Sequence, residues 1–177
     1  MIDLTKKGNK KPSEKGGAGS GVEKWYLEFY AASFGTIDRV DDVLKKGCFA
    51  KTLKENAELE IEIPLVYGHD YNRPITTIVK YKEDDYGLLG RAILPYAGDA
   101  KKAVSDLNNK QNKTFSFGFD YVDIDFIWDS EKSIHFFMVN EVKLYETSTA
   151  AVPCNPGAKL VKIEKYNPEV HDALMAD

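Results

Sequence analysis

The chain has 177 residues, a size that suits one domain, and 43% hydrophobic with 12% aromatic residues is enough to build a core. Its net charge of −4 is uneven: residues 1–21 hold five lysines against Asp3 and Glu14, a net of +3, which leaves about −7 on the remainder. An acidic body argues against a nucleic-acid partner, and the short, charge-broken apolar runs argue against a membrane-spanning helix. Cys48 and Cys154 lie far apart and form no CxxC pair, so no metal site is read and a reduced, intracellular setting is expected. No apolar stretch follows the N-terminal lysines, so no secretory signal is read either.

In chain order, residues 1–21 end in "GGAGSG" and read as a flexible basic tail. The folded domain is expected over 22–165, with 166–177 as a C-terminal tail. "EKWYLEFYAASF" reads as a strand that stops at Gly35. A polar loop then leads into a short helix over Cys48–Asn56. "EIEIPLVYGHD" is a second strand, cut by a turn over Gly68–Asn72. "RPITTIVKYKEDDYGLLGRAIL" reads as a hairpin turning at "EDDYG". Ala100, Val104 and Leu107 recur at helical spacing and mark a second helix. "KTFSFGFDYVDIDFIW" and "SIHFFMVNEVKLYETSTAAVP" form a strand pair around "DSEK", and "AKLVKIEKY" closes the set. The expected fold is mainly β with helices (α+β), a closed or nearly closed barrel with its helices outside, because distant strands must pair.

One stretch carries chemistry. In "KTFSFGFD", strand alternation puts Phe115, Phe117, Phe119 and Tyr121 on one face, the core face, and Ser116 on the other. Gly118 lies two residues on, and a glycine inside a strand is kept where a backbone or ligand approaches closely. A serine hydroxyl attacks only when a base takes its proton. Three histidines are available. His171 falls in the polar end, where fraying is expected; His135 sits mid-strand and reads as structural; His69 sits where a strand gives way to a turn, the place where catalytic groups are displayed. A group to orient the imidazole comes from "NEVKLYETS", which offers Glu141 and Glu146. In a regular strand these two face opposite sides. Glu146 then shares the core side with Val142 and Leu144, and Glu141 the more polar side with Lys143.

Taken in order, these segments resemble the prohead serine proteases of tailed bacteriophages. The resemblance runs over about residues 29 to 160. It is carried by "SFGTIDRVDDVLKKGCFAKTL", by "IPLVYGHDYNRPI" as a histidine motif, by "DDYGLLGRAIL", by "KTFSFGFD" as a serine motif, and by "NEVKLYETSTAAVPCNPGAKL" as a closing signature. Lys46, Cys48 and Thr76 depart from residues common in the family, and "STAAVPCN" is a loose version of its closing run; none touches the serine or the histidine.

The resemblance implies a serine endopeptidase with Ser116 as nucleophile and His69 as general base. Related herpesvirus assemblin-type proteases use a second histidine as third member; the matching segment here carries Glu141, which is assigned that role, with Glu146 the runner-up. The implied partners are the major capsid protein with its scaffold region and the chain itself as substrate, inside a procapsid in the bacterial cytoplasm. By analogy with the herpesvirus relatives, a homodimer is a further partner. No cofactor is implied. The resemblance assigns no oxyanion donors; amides near Gly118 or after Ser148–Pro153 are the candidates. Two other readings stand beside this one: a non-catalytic structural or scaffold barrel of the phage particle, and a small-ligand barrel with a closed apolar cavity.

Overall fold

The computed structural model describes residues 22–109 and 113–176. The basic segment 1–21, read above as a flexible tail, lies outside the described residues. Among the described residues no helix is long and apolar enough to cross a membrane.

The fold is mixed α+β and mostly strand. One sheet has the order β5-β6-β1-β9, built from β1 (Lys24–Ser33), β5 (Val79–Glu83), β6 (Gly87–Pro95) and β9 (Lys159–Lys165). The aromatic "EKWYLEFYAASF" segment takes a central place in it, which buries both faces of β1 over most of its length. The second sheet is organised on β8 (Ile134–Ala150), which pairs along its whole length with β7 (Thr114–Asp129). On its other side β8 accepts β2 (Asp42–Leu44) and β3 (Leu65–Tyr67), both parallel to it, and β3 pairs on with β4 (Asp70–Thr76). Hydrogen bonding thus divides the described strands between two sheets and does not run through all of them as one closed ring.

The core lies between the sheets. Phe29 of β1 stacks on Phe115 of β7 with ring centroids 4.3 Å apart, and Phe49 meets Phe117 edge-on at 5.5 Å. The phenylalanine face of "KTFSFGFD" therefore enters the core, as alternation requires. Helix α2 (Gly98–Asn108) buries Ala100, Ala103, Val104 and Leu107, the apolar stripe readable from its spacing. Helix α1 (Ala50–Glu58) is pinned to β8 through Thr52, whose hydroxyl accepts a bond from the Leu144 amide at 3.2 Å.

Four elements differ from the sequence expectation; one is the "RPITTIVKYK" arm of the expected hairpin, which is split between β4 of one sheet and β5 of the other. β2 falls in the segment read as polar loop; three residues carry no readable period, and their partners on β8 lie nearly 100 positions away. β4 resumes at Asp70, inside the expected Gly68–Asn72 turn, because the turn is only two residues long. Residues Pro168–Ala176 form a helix, α3, where a tail was expected. His171 is buried, not frayed: its ring stacks on Tyr26 at 4.3 Å, its Nδ1 accepts a bond from the Asn167 amide, and its Nε2 donates to Glu164 at 2.8 Å. A ring with both nitrogens bonded and one face covered is an anchor, so the body of the fold extends past residue 165.

Candidate active site

β7, β8 and β3 lie side by side and bring the distant sequence motifs together. Ser116 of β7 stands opposite Ser148 of β8, and Gly118 opposite Glu146. On the far side of β8, Val66 of β3 pairs with Ser148, and the next residues lead into a turn. That turn is Gly68–His69, with φ of +62° and +61°; Tyr67 and Asp70 flank it as a ladder pair. Two central residues at positive φ make the tight hairpin turn that matches strand twist. A histidine in the left-handed region is uncommon, though less so than for bulkier types. The Gly68 amide bonds the Thr149 carbonyl at 3.1 Å, which ties the turn to β8.

This geometry delivers the imidazole to a carboxylate. His69 Nδ1 and Glu146 Oε1 are 2.6 Å apart. Glu146 is only 1% exposed, whereas the His69 side chain is about half exposed. The hydrogen bond to Glu146 raises the His69 pKa above its ordinary 6.5; partial burial opposes the rise and the carboxylate charge adds to it. With Nδ1–H donating to the Glu146 carboxylate, the tautomer is fixed and the Nε2 lone pair is left free to take a proton.

Glu141, assigned above as third member, is elsewhere. Its carboxylate pairs with Lys51 of α1 at 2.7 Å. The alternation argument fails for a definite reason. In the β7–β8 ladder Phe119 faces Leu144, but Gly118 faces Glu146, so Tyr145 is an extra residue in β8. Such a bulge shifts everything beyond it to the opposite face. Leu144 stays with the core-facing Phe119, while Glu146 crosses to the side of Ser116 and Gly118.

Gly118 is also not what it seemed. A Cβ at that position would come within 2.5 Å of Glu146 Oε1. The bare backbone makes room for the carboxylate beside the serine. Ser116 itself is 8% exposed, in a recessed place on the sheet. His135 is on an exposed stretch of the ribbon, stacked on Phe126 at 4.7 Å, remote in register from Ser116.

The closing segment supplies a structural clamp that the motif reading passed over. Buried Asn155 accepts from the amide and hydroxyl of Ser33 and from the Gly157 amide, and donates to the Ser33 carbonyl, all within 3.0 Å. This bonds the loop after β8 to the end of β1. The sequence signal for it was the Pro-x-Asn run, which has a backbone-capping residue where a turn is needed. Among the described residues no cluster of three or more His, Cys, Asp or Glu is arranged to hold a metal ion.

A family model described as caudovirus prohead serine protease matches residues 14–171. A curated prohead protease of Escherichia phage T5 is 30% identical over 118 residues, covering 67% of this chain and 53% of that protein, so the chain spans about half the length of this relative. Among solved structures, the bacteriophage T4 capsid assembly protease aligns over 77% of this chain and 81% of its own, at 15% identity and TM-score 0.48. Varicella-zoster virus protease aligns over 83% of this chain and 66% of its own, at 14% identity and TM-score 0.43.

Proposed function

From the chain's membership of the caudovirus prohead serine protease family, we propose that it is a serine endopeptidase in which Ser116 attacks, His69 is the general base and Glu146 orients the imidazole. The observation that carries the reading is the 2.6 Å bond from His69 to the buried Glu146, on the sheet face that holds Ser116. His69 Nε2 takes the Ser116 proton as Oγ forms a bond to a peptide carbonyl carbon. The imidazolium that results is stabilised by the Glu146 carboxylate. The ring then returns the proton to the leaving amine. In the second half His69 takes a proton from water, the water oxygen attacks the acyl carbon, and Ser116 regains its hydrogen as the acid product departs. Glu141 has no part in this scheme.

The substrates we infer, with family membership as support, are the scaffold region of the major capsid protein and this chain itself, within the procapsid. Labelling by an alkyl fluorophosphonate tests the chemistry, because the reagent reacts rapidly with a serine activated as a nucleophile and hardly at all with an ordinary one. The adduct should map to Ser116 and be lost in Ser116→Ala. Folded protein that takes up no label would favour a non-catalytic particle component. Co-expression with the capsid protein then tests the substrate: mass spectrometry should find it trimmed by wild type and intact with Ser116→Ala.

A further inference from the structure

Ser148 carries a buried hydroxyl that the His69–Glu146 pair does not account for. It is fully buried, and its hydroxyl has no hydrogen-bond partner among the described residues. It stands directly opposite Ser116 in the β7–β8 ladder, beyond the bulge at Tyr145 and therefore on the same face as Ser116 and Glu146. Side chains directly opposed on one face have Cβ atoms roughly 4.5–5.5 Å apart, within reach of two hydroxyls that each turn about one bond. Its neighbours Thr147 and Thr149 point to the other face; Thr147 is bonded there to Tyr81 at 2.6 Å. A buried hydroxyl with nothing to bond is unfavourable, and an alanine would fill the position without that penalty.

We propose that Ser148 is a positioning residue for the nucleophile: its hydroxyl, which has no partner among the described residues, turns to donate to Ser116 Oγ once the nucleophile is engaged. The inference rests on the peptidase reading above. A serine hydroxyl has one hydrogen to give and two lone pairs to offer. With one lone pair held by Ser148, the Ser116 hydrogen is directed to His69 Nε2 and the other lone pair to the carbonyl carbon. The Ser148 bond strengthens as negative charge grows on Oγ during attack, so it favours the transition state over the resting state. No atom of Ser148 is transferred: the Ser116 proton goes to His69, and the new bond is Oγ to carbon.

The test is the kinetics of fluorophosphonate labelling in wild type, Ser148→Ala and Ser116→Ala, with thermal unfolding of each. Saturation kinetics separate reagent binding from the chemical step. For Ser148→Ala the maximal labelling rate should fall about 10-fold, the rate equivalent of one hydrogen bond. The half-saturating reagent concentration and the pH midpoint should be unchanged, since the His69–Glu146 bond is untouched. The melting temperature should hold or rise. An unchanged rate overturns the assignment. So does a rate loss that comes with a lower melting temperature or a moved pH midpoint, which would make Ser148 a packing residue. If wild type is not labelled at Ser116 while folded, the peptidase reading falls and this assignment with it; if wild type and Ser148→Ala label equally, only the role of Ser148 falls.

Discussion

Glu146 and Gly118 face each other across the β7–β8 ladder, and the carboxylate occupies the volume that a side chain at position 118 would need. Gly118→Ala should therefore act on the site through Glu146. The new methyl group would meet Glu146 Oε1, the oxygen that bonds His69, so relief of the contact displaces the carboxylate from that bond. The expected result is a large fall in the maximal labelling rate with the fold retained, seen as unchanged circular dichroism. Wild-type rates in a folded Gly118→Ala protein would show that the carboxylate has room to spare.

The two glutamates of "NEVKLYETS" should separate cleanly. Glu146→Gln keeps the shape but removes the charge and permits the wrong tautomer, so kcat should fall by on the order of 10³–10⁴. Glu141→Gln breaks only an ion pair with a solvated lysine and should leave activity intact with little change in melting temperature. Peptidase assays on both variants decide it; a dead but folded Glu141→Gln would restore the assignment made from the sequence.

Activity should rise with pH as His69 loses its proton, with a midpoint above 6.5 because Glu146 favours the charged ring. In Glu146→Gln the residual activity should show a lower midpoint. Stability runs the other way. A pKa raised on folding means the pairing stabilises the protein fully below the unfolded value near 6.5, and that share is lost as pH climbs through the folded value. Wild type should lose a small increment of stability over that window, and His69→Gln should not. Matching pH–stability curves for the two would contradict the linkage.

Asn155→Ala should be strongly destabilising although it lies outside the candidate site. It removes four hydrogen bonds to buried or half-buried groups at Ser33 and Gly157. Leaving such groups unpaired costs about 1–3 kcal/mol each when no water reaches them, so a loss of roughly 2–4 kcal/mol is expected. Denaturant unfolding measures it. A change below about 1 kcal/mol would mean that water replaces the amide without penalty.

His135→Gln should retain full activity, since the ring stacks on exposed Phe126 and Trp128, well along the ribbon from Ser116. The same labelling assay reports it, and loss of labelling in a folded protein would reopen the choice of base.

The sequence by itself determined the features that rest on local order. Strand alternation put Phe115 and Phe117 in the core and Ser116 on the other side, and the 3.6-residue period of Ala100, Val104 and Leu107 gave α2. The ordered motifs were enough to recognise the family and to nominate Ser116 and His69 as candidates. Tertiary structure decided what depends on pairing between distant segments. One extra residue at Tyr145 moved Glu146 from the core side to the Ser116 side, and no local pattern in "KLYETS" announces a bulge that exists only relative to β7. The use of Gly118 follows from the same pairing, because the group that needs its missing side chain is 28 positions away. His171 is the third case: its burial depends on Tyr26 and Glu164 closing around it, contacts that a polar C-terminal segment does not reveal until the chain has folded back onto β1.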